Sequence, residues 1–222
     1  MKKVVVLLFI LAGTLQVNAQ LQVNPQFGLT FQNLSDDEAV VVNTNSTLES
    51  NFSADLGMMF GVDFRIGKAF YFQPGVFMSR NVTITKLVGD SVYTGNELKD
   101  KLVRTSLKLK GLLGYKLVNR EGFKLRLVAG PTYDYLLSID HTGEEIKWNK
   151  NDFNNGSFNL DGAFGVDVWF ISAELGYSYG LTEAFDRQDD YNFNSRYSTF
   201  YISFGVIFGN GTKKNNNRSG NE

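Results

Sequence analysis

Apolar and polar residues alternate along the segment from Phe52 to Ile66. Every second residue from Ala54 to Ile66 is apolar, and the residues between them, apart from Met59, are small, polar or charged. A period of two predicts a β-strand with two unlike faces, long enough to cross a bilayer when tilted. In a soluble protein the apolar face would meet a core. In a membrane barrel it would meet lipid, and the polar face would line the interior.

Seven further segments show similar alternation, so the pattern predicts eight strands, at residues 22–32, 52–66, 70–84, 101–117, 123–137, 158–168, 171–179 and 200–208. Four long polar connections, 34–51, 87–100, 139–156 and 182–195, alternate with three short turns. Outer-membrane barrels separate their connections in this way, with short turns in the periplasm and long loops outside. We therefore predict an all-β fold, an eight-stranded antiparallel up-and-down transmembrane β-barrel over residues 20–208. A secreted β-sandwich or soluble barrel is the alternative.

The two ends of the chain differ from this pattern. Lys2 and Lys3 precede an apolar run, and Val17-Asn-Ala19 matches a cleavage site, so residues 1–19 are predicted to be a signal peptide. The apolar run is too short to span a membrane as a helix. Residues 209–222 form a polar tail rich in Asn, Lys and Gly, which we predict to be disordered.

Composition excludes several classes of protein. The net charge of −1 is not that of a nucleic-acid-binding protein. The absence of cysteine excludes a disulfide framework, thiol catalysis and thiolate metal sites.

The predicted inward face carries six acids and six bases, with the bases clustered on the fourth and fifth predicted strands. Side chains can fill an eight-stranded barrel, and buried charges are costly unless they are paired. We therefore expect a plugged lumen crossed by salt bridges. A charge-selective pore or a proton path is the alternative. The predicted lumen charge network comprises Asp55, Asp63, Arg65, Arg104, Lys108, Lys110, Lys124, Arg126, Asp134, Asp161, Asp167 and Glu174.

Few residues suggest further chemistry, and we assign no catalytic, cofactor-binding or metal-binding residue. His141 lies beside Asp140 in a connection, where a solvated loop tip is the simplest interpretation and a general base or metal ligand the alternative. The acidic runs at 36–38 and 186–190 could bind calcium or simply be hydrated. Tyrosines near strand ends predict interfacial girdles, with glycan stacking as the alternative: Tyr115, Tyr133, Tyr135, Tyr177, Tyr179 and Tyr197.

Short motifs occur in a consistent order along the predicted strands: Phe27-Gly-Leu-Thr-Phe31, Gly57-Met-Met-Phe-Gly-Val-Asp-Phe64, Phe70-Tyr-Phe-Gln-Pro-Gly75, Leu107-Lys-Leu-Lys-Gly-Leu-Leu-Gly-Tyr-Lys116, Gly130-Pro-Thr-Tyr133, Gly165-Val-Asp167 and Leu175-Gly-Tyr-Ser-Tyr-Gly-Leu181. In these motifs the chain resembles the PorT-like outer-membrane β-barrel proteins of Bacteroidota. The resemblance implies an eight-stranded barrel in the outer membrane and little about activity, although the namesake belongs to the type IX secretion machinery. The chain departs from many barrels in the polar tail after Phe208.

Asp90-Ser-Val92 is similar to the short O-glycosylation motif of the same phylum, and an ordinary loop tripeptide is the alternative.

Taken together, the strand pattern, the composition and the resemblance predict a non-enzymatic protein of the cell outer membrane that contacts its lipid. We expect a structural or accessory envelope role, which could lie in a secretion or uptake complex. The alternatives are a narrow transport or ligand-binding barrel, a secreted soluble binding module and, last, an enzyme that acts through its loops.

Overall fold

The computed structural model describes residues 21–35, 49–88, 98–141, 153–183 and 196–209. Every element in these residues is a β-strand, in ten segments: β1 (Leu21–Ser35), β2 (Glu49–Ala54), β3 (Leu56–Gly67), β4 (Phe70–Val88), β5 (Leu98–Arg120), β6 (Phe123–His141), β7 (Gly156–Val168), β8 (Ile171–Glu183), β9 (Arg196–Val206) and β10 (Phe208–Gly209). No helix in this part of the chain is long and apolar enough to cross a membrane.

The segments form one closed antiparallel barrel. From β3 to β9 each strand pairs with the next, and β1 closes the sheet by pairing with both β3 and β9. β2 and β3 both pair with β4, and β9 and β10 both pair with β1. The ten segments therefore make eight barrel strands, and the predicted eight-stranded up-and-down architecture is confirmed.

The second predicted strand, 52–66, is interrupted at Asp55 between β2 and β3. The Asp55 carboxylate accepts a hydrogen bond of 2.7 Å from the backbone N–H of Leu56. A short acidic side chain that captures a nearby backbone donor competes with the sheet ladder. The interruption is local, because the Asp55 backbone N–H still donates to the carbonyl of Val82 at 3.2 Å.

Connections of two lengths alternate, as predicted. Three two-residue turns, at 68–69, 121–122 and 169–170, lie at one end of the barrel together with the start of β1 and the end of β10, and we call this the turn end. The four longer connections leave the opposite end, which we call the loop end. The hairpins reach further towards the loop end than predicted, since β5 covers Leu98–Arg120 rather than 101–117. Apolar alternation marks only part of each strand, while backbone pairing continues beyond it.

Burial is inverted relative to a soluble protein. Large apolar side chains on the outward face are exposed, among them Phe60, Phe72 and Leu113, which is 70% exposed. The inward face buries mainly polar and charged residues. A lipid-facing surface explains this arrangement, because apolar residues on the outside of a barrel need an apolar surrounding.

Candidate functional site in the lumen

Two arginines organise the inward charges near the turn end. Arg126, on β6, is fully buried, and its Nη1 lies 2.6 Å from Glu174 Oε2 while its Nε lies 3.1 Å from Asp167 Oδ1. Arg65, on β3, reaches across to the other oxygen of Asp167, with Nη1 2.9 Å from Oδ2. The hydroxyl oxygen of Ser172 accepts from both guanidinium groups at 2.8 and 2.9 Å. These residues tie β3, β6, β7 and β8 together across the lumen.

Asp63 completes this group. Its Oδ2 accepts hydrogen bonds from the side-chain amides of Gln26 at 2.6 Å and Gln73 at 2.9 Å, and its Oδ1 lies 3.8 Å from Arg65 Nε. We call Asp63, Arg65, Arg126, Asp167, Ser172 and Glu174 the turn-end cluster. Planar guanidinium groups that meet several oxygens at hydrogen-bond distance fix both position and orientation.

A second group lies closer to the loop end. Lys108 Nζ is 3.6 Å from Asp134 Oδ2 and 3.7 Å from Asp161 Oδ2, and it donates to Ser178 Oγ at 3.2 Å. Neutral donors hold the carboxylates, since Asn159 donates to Asp134 at 3.0 Å and Thr132 donates to Asp161 at 2.9 Å. The next charge towards the loop end is Arg104.

The Arg104 guanidinium lies over the ring of Tyr197, 4.4 Å from its centroid, and Nη2 is 3.4 Å from Ser157 Oγ. In the described part of the chain Arg104 has no carboxylate within ion-pair distance. We call Arg104, Lys108, Asp134 and Asp161 the loop-end cluster.

A largely apolar middle layer lies on the inward face as well, and it comprises Met59, Tyr71, Phe77, Leu112, Val128, Ala163 and Tyr201. Lys110 contacts this layer rather than a carboxylate. Its Nζ lies 4.4 Å from the ring centroid of Phe77 and 4.7 Å from that of Tyr201. Aromatic faces attract a desolvated cation in this geometry.

The structure places ten of the twelve predicted lumen charges on the buried inward face, all of them except Asp55 and Lys124. It brings nine of the ten together in the two clusters. Lys110 stands apart in the middle layer, Lys124 is half-buried near the turn end, and Asp55 lies at the break before β3.

Sequence reasoning placed one tyrosine wrongly and left other residues out of the network. Tyr197 was predicted in an interfacial girdle, but it is buried beneath Arg104. Lys116 is also buried on the inward face. Neutral partners such as Ser172 and Gln73 contribute hydrogen bonds that a search restricted to charges cannot find. Their position in the period-two alternation is the signal that could have identified them.

The other chemical candidates yield little. The side chain of His141 and the runs 36–38 and 186–190 lie outside the described residues, as does Asp90-Ser-Val92. Among the residues whose positions are described, no group of three or more His, Cys, Asp or Glu could hold a metal ion. An apolar groove on the barrel wall is lined mainly by outward residues such as Leu113 and Tyr177, and no charged residue is among its described lining.

Sequence comparison now bears on the fold and the polar lumen. A model of the outer membrane protein β-barrel domain matches residues 16–186. The chain belongs to this family. Membership, together with the exposed apolar belt, places the protein in the outer membrane. The matched region covers β1 to β8, which includes every charge of both clusters.

No curated protein matches the chain significantly in sequence. Several solved barrels are similar in structure. Neisserial surface protein A is 12% identical, with a TM-score of 0.44 over 86% of this chain and 99% of that one. Ail, the attachment invasion locus protein of Yersinia pestis, is 10% identical, with a TM-score of 0.39 over 85% of this chain and 99% of that one. Likenesses this weak say nothing about function.

Proposed function

We propose that this protein is a non-enzymatic outer-membrane barrel with a plugged, salt-bridged lumen, and that it acts as a structural or accessory protein of the envelope. The observation that carries the proposal is the way the middle layer is filled. Four large inward side chains of this layer, those of Met59, Tyr71, Phe77 and Tyr201, each lie over a glycine of an adjacent strand. A glycine leaves space on the inward face of its strand, and the large side chain of the neighbouring strand fills that space.

Four glycines show this packing. A Cβ at Gly61 would lie 2.7 Å from the ring of Phe77, and a Cβ at Gly28 would lie 3.0 Å from Met59 Cε. A Cβ at Gly114 would overlap the ring of Tyr71. In the same way, a Cβ at Gly176 would overlap the ring of Tyr201. This density supports a closed interior, since an eight-stranded barrel has only enough space for side chains.

Planar-bilayer recording tests the plug. The wild-type barrel should show no steady single-channel conductance, whereas the double variant Phe77→Ala and Tyr201→Ala should conduct ions. A matched control changes outward aromatic residues of the same two strands, Phe72→Ala and Phe200→Ala, and should stay closed. Steady conductance of the wild-type protein would contradict the plugged interpretation.

A narrow conducting path is the second candidate. Twelve buried side-chain nitrogen and oxygen atoms among the described residues have no hydrogen-bond partner, including both side-chain atoms of Asn24 and Oδ1 of Asp63. Such atoms need water, and a connected file of water could carry ions or protons. The same recordings distinguish this path from a plugged lumen. A conducting path predicts that the wild-type protein conducts and that its conductance changes when Lys110 is replaced by Met.

We further propose that the turn end faces the periplasm and that the long connections face outside and carry any recognition. Surface proteolysis of whole cells should then cut the connections at 89–97 and 184–195 and spare the turns. The PorT-like resemblance adds the hypothesis of a secretion or uptake complex. Deletion followed by a protein-secretion assay, and affinity capture from detergent-solubilised outer membranes, test that hypothesis. If neither shows an effect, a role in such a complex is excluded.

The boundaries of the mature protein are part of the proposal. Cleavage after Ala19 should leave Gln20 as the first residue of protein purified from the outer membrane, which amino-terminal sequencing can check. A protein that retains residues 1–19 would contradict the predicted signal peptide. The tail was predicted at 209–222, but Gly209 lies in β10 and pairs with Gln22, so protease should remove residues 210–222 without unfolding the barrel. We assign His141 no catalytic role, so any hydrolase activity that is lost in His141→Ala would contradict the non-enzymatic proposal.

A further inference from the structure

We propose that the lumen opening at the turn end binds an oxyanion, a carboxylate or phosphate group, between Lys116 and Lys124. Both lysines lie on the inward face of the β5–β6 hairpin, close to the turn at 121–122. Lys116 is directly opposite Arg126 in the strand register, and Lys124 lies two residues nearer the turn than Arg126. The two lysines therefore lie near the same opening of the lumen.

Lys116 is a buried cation without a counter-ion. The residue is 6% exposed, and its Nζ lies 5.5 Å from the ring centroid of Tyr71. Among the described residues no carboxylate lies within ion-pair distance of it. Its Nζ makes no hydrogen bond to another residue in the described part of the chain. A cation held this way favours an anionic ligand.

The carboxylate closest to Lys124 in the register is already occupied. Asp167 lies directly opposite Lys124 across the β6–β7 pair. Both of its oxygens are taken, because Oδ1 meets Arg126 Nε at 3.1 Å and Oδ2 meets Arg65 Nη1 at 2.9 Å. The Asp167 carboxylate next to Lys124 is therefore already paired with two arginines. Lys124 itself has no ion pair in the described part of the chain.

The charged residues at the turn end have a net positive charge, which favours binding of an anion. Arg65, Lys116, Lys124 and Arg126 face three carboxylates, those of Asp63, Asp167 and Glu174, on the inward side. The exposed rim adds Lys68 and Arg120, against the single acid Glu121 in the described turns. Low-dielectric walls around an opening concentrate such a field, and lysine binds oxyanions as a compact point charge.

An NMR titration of the full-length barrel in neutral detergent micelles tests the site. Acetate and inorganic phosphate are added separately, and the sodium chloride concentration is reduced at each step so that the ionic strength stays constant. We expect saturable shifts of the backbone amides of Lys116, Gly122 and Lys124. Lys116→Gln and Lys124→Gln should each weaken binding by about tenfold, the loss expected for one charge-assisted contact. Lys116→Arg, which keeps the charge, should retain binding.

Lys68→Gln is the matched control, because it removes an equally charged but exposed lysine from the same rim and should change the affinity less than twofold. Saturation by acetate alone would name a carboxylate-bearing ligand, and saturation by phosphate alone would name a phosphate-bearing one. Saturation by both would assign a general oxyanion site. Shifts that do not saturate, or that are equal in Lys68→Gln and Lys116→Gln, would show diffuse screening only and overturn the proposal.

Discussion

The two charged clusters of the lumen pair buried carboxylates with different cations, guanidinium groups at the turn end and the ammonium group of Lys108 at the loop end. At the turn end, Arg126 makes three close contacts, with Glu174 at 2.6 Å, Asp167 at 3.1 Å and Ser172 at 2.8 Å. At the loop end, Lys108 lies 3.6 and 3.7 Å from its two carboxylates and makes one hydrogen bond, of 3.2 Å. In the first cluster the planar guanidinium group of Arg126 fixes the direction of each contact. In the second, the ammonium group of Lys108 is a point charge that lies among several acceptors.

The difference follows the architecture of the barrel. Three two-residue turns hold neighbouring strands together next to the turn-end cluster. A rigid guanidinium group can therefore meet all of its acceptors there. The loop-end cluster lies further from these turns. A lysine tolerates small changes in strand spacing, because its ammonium group can reorient towards either carboxylate. We infer that the turn-end cluster contributes more to stability.

The largest effect should come from Arg126→Met. This change leaves Glu174 without its closest cation and Asp167 with Arg65 alone, and breaking a buried ion pair on one side costs about 3–5 kcal/mol. We expect the free energy of unfolding to fall by that amount. It can be measured by urea titration of the refolded barrel in micelles, followed by the migration of unboiled samples on gels.

Lys108→Met is the matched comparison, because it also replaces a buried cation with an unbranched apolar side chain. Its longer ion pairs and single hydrogen bond predict a smaller loss, at the low end of the same range, about 3 kcal/mol. An equal loss in the two variants would mean that the clusters differ in geometry but not in energy, and our comparison would then be wrong.

The sequence predicted the faces of these residues but not their partners. Arg126 and Lys108 were assigned inward because side chains alternate along a strand whatever their neighbours are. Which acid meets which base depends on strand register and barrel closure, which bring Arg126 to Glu174 over 48 residues of sequence. Neutral donors such as Ser172 carry no charge signal at all.

The misplaced tyrosine has a related cause. Tyr197 lies near the start of β9, before the apolar alternation of residues 200–208 begins. Without a continuous pattern its face could not be assigned, and a tyrosine near a strand end fits a girdle as well as a lumen. Its burial follows from backbone pairing that starts at Arg196, several residues earlier than the apolar pattern.

A medium effect should distinguish two glycines of β7. A Cβ at Gly165 would overlap the Arg126 guanidinium, whereas a Cβ at Gly162, on the outward face, would meet nothing within 4 Å. Gly165→Ala should therefore displace Arg126 and cost about 1–3 kcal/mol. Gly162→Ala should stay within about 0.5 kcal/mol of the wild-type protein. Both variants make the same exchange in the same strand, so the difference in their urea midpoints isolates the turn-end cluster.

The smallest effect among the charged residues should come from Asp161→Asn. The amide oxygen can still accept the hydrogen bond from Thr132, and only an ion pair of 3.7 Å to Lys108 is lost, so we expect a decrease of about 0.5–1 kcal/mol. Glu174→Gln removes the charge that Arg126 meets at 2.6 Å and should cost at least twice as much. Urea titration of both variants at two salt concentrations measures the ratio of their losses in the free energy of unfolding. If Asp161→Asn proved the more damaging, the loop-end cluster would be the more tightly held of the two, and the link between short turns and rigid ion pairing would fail.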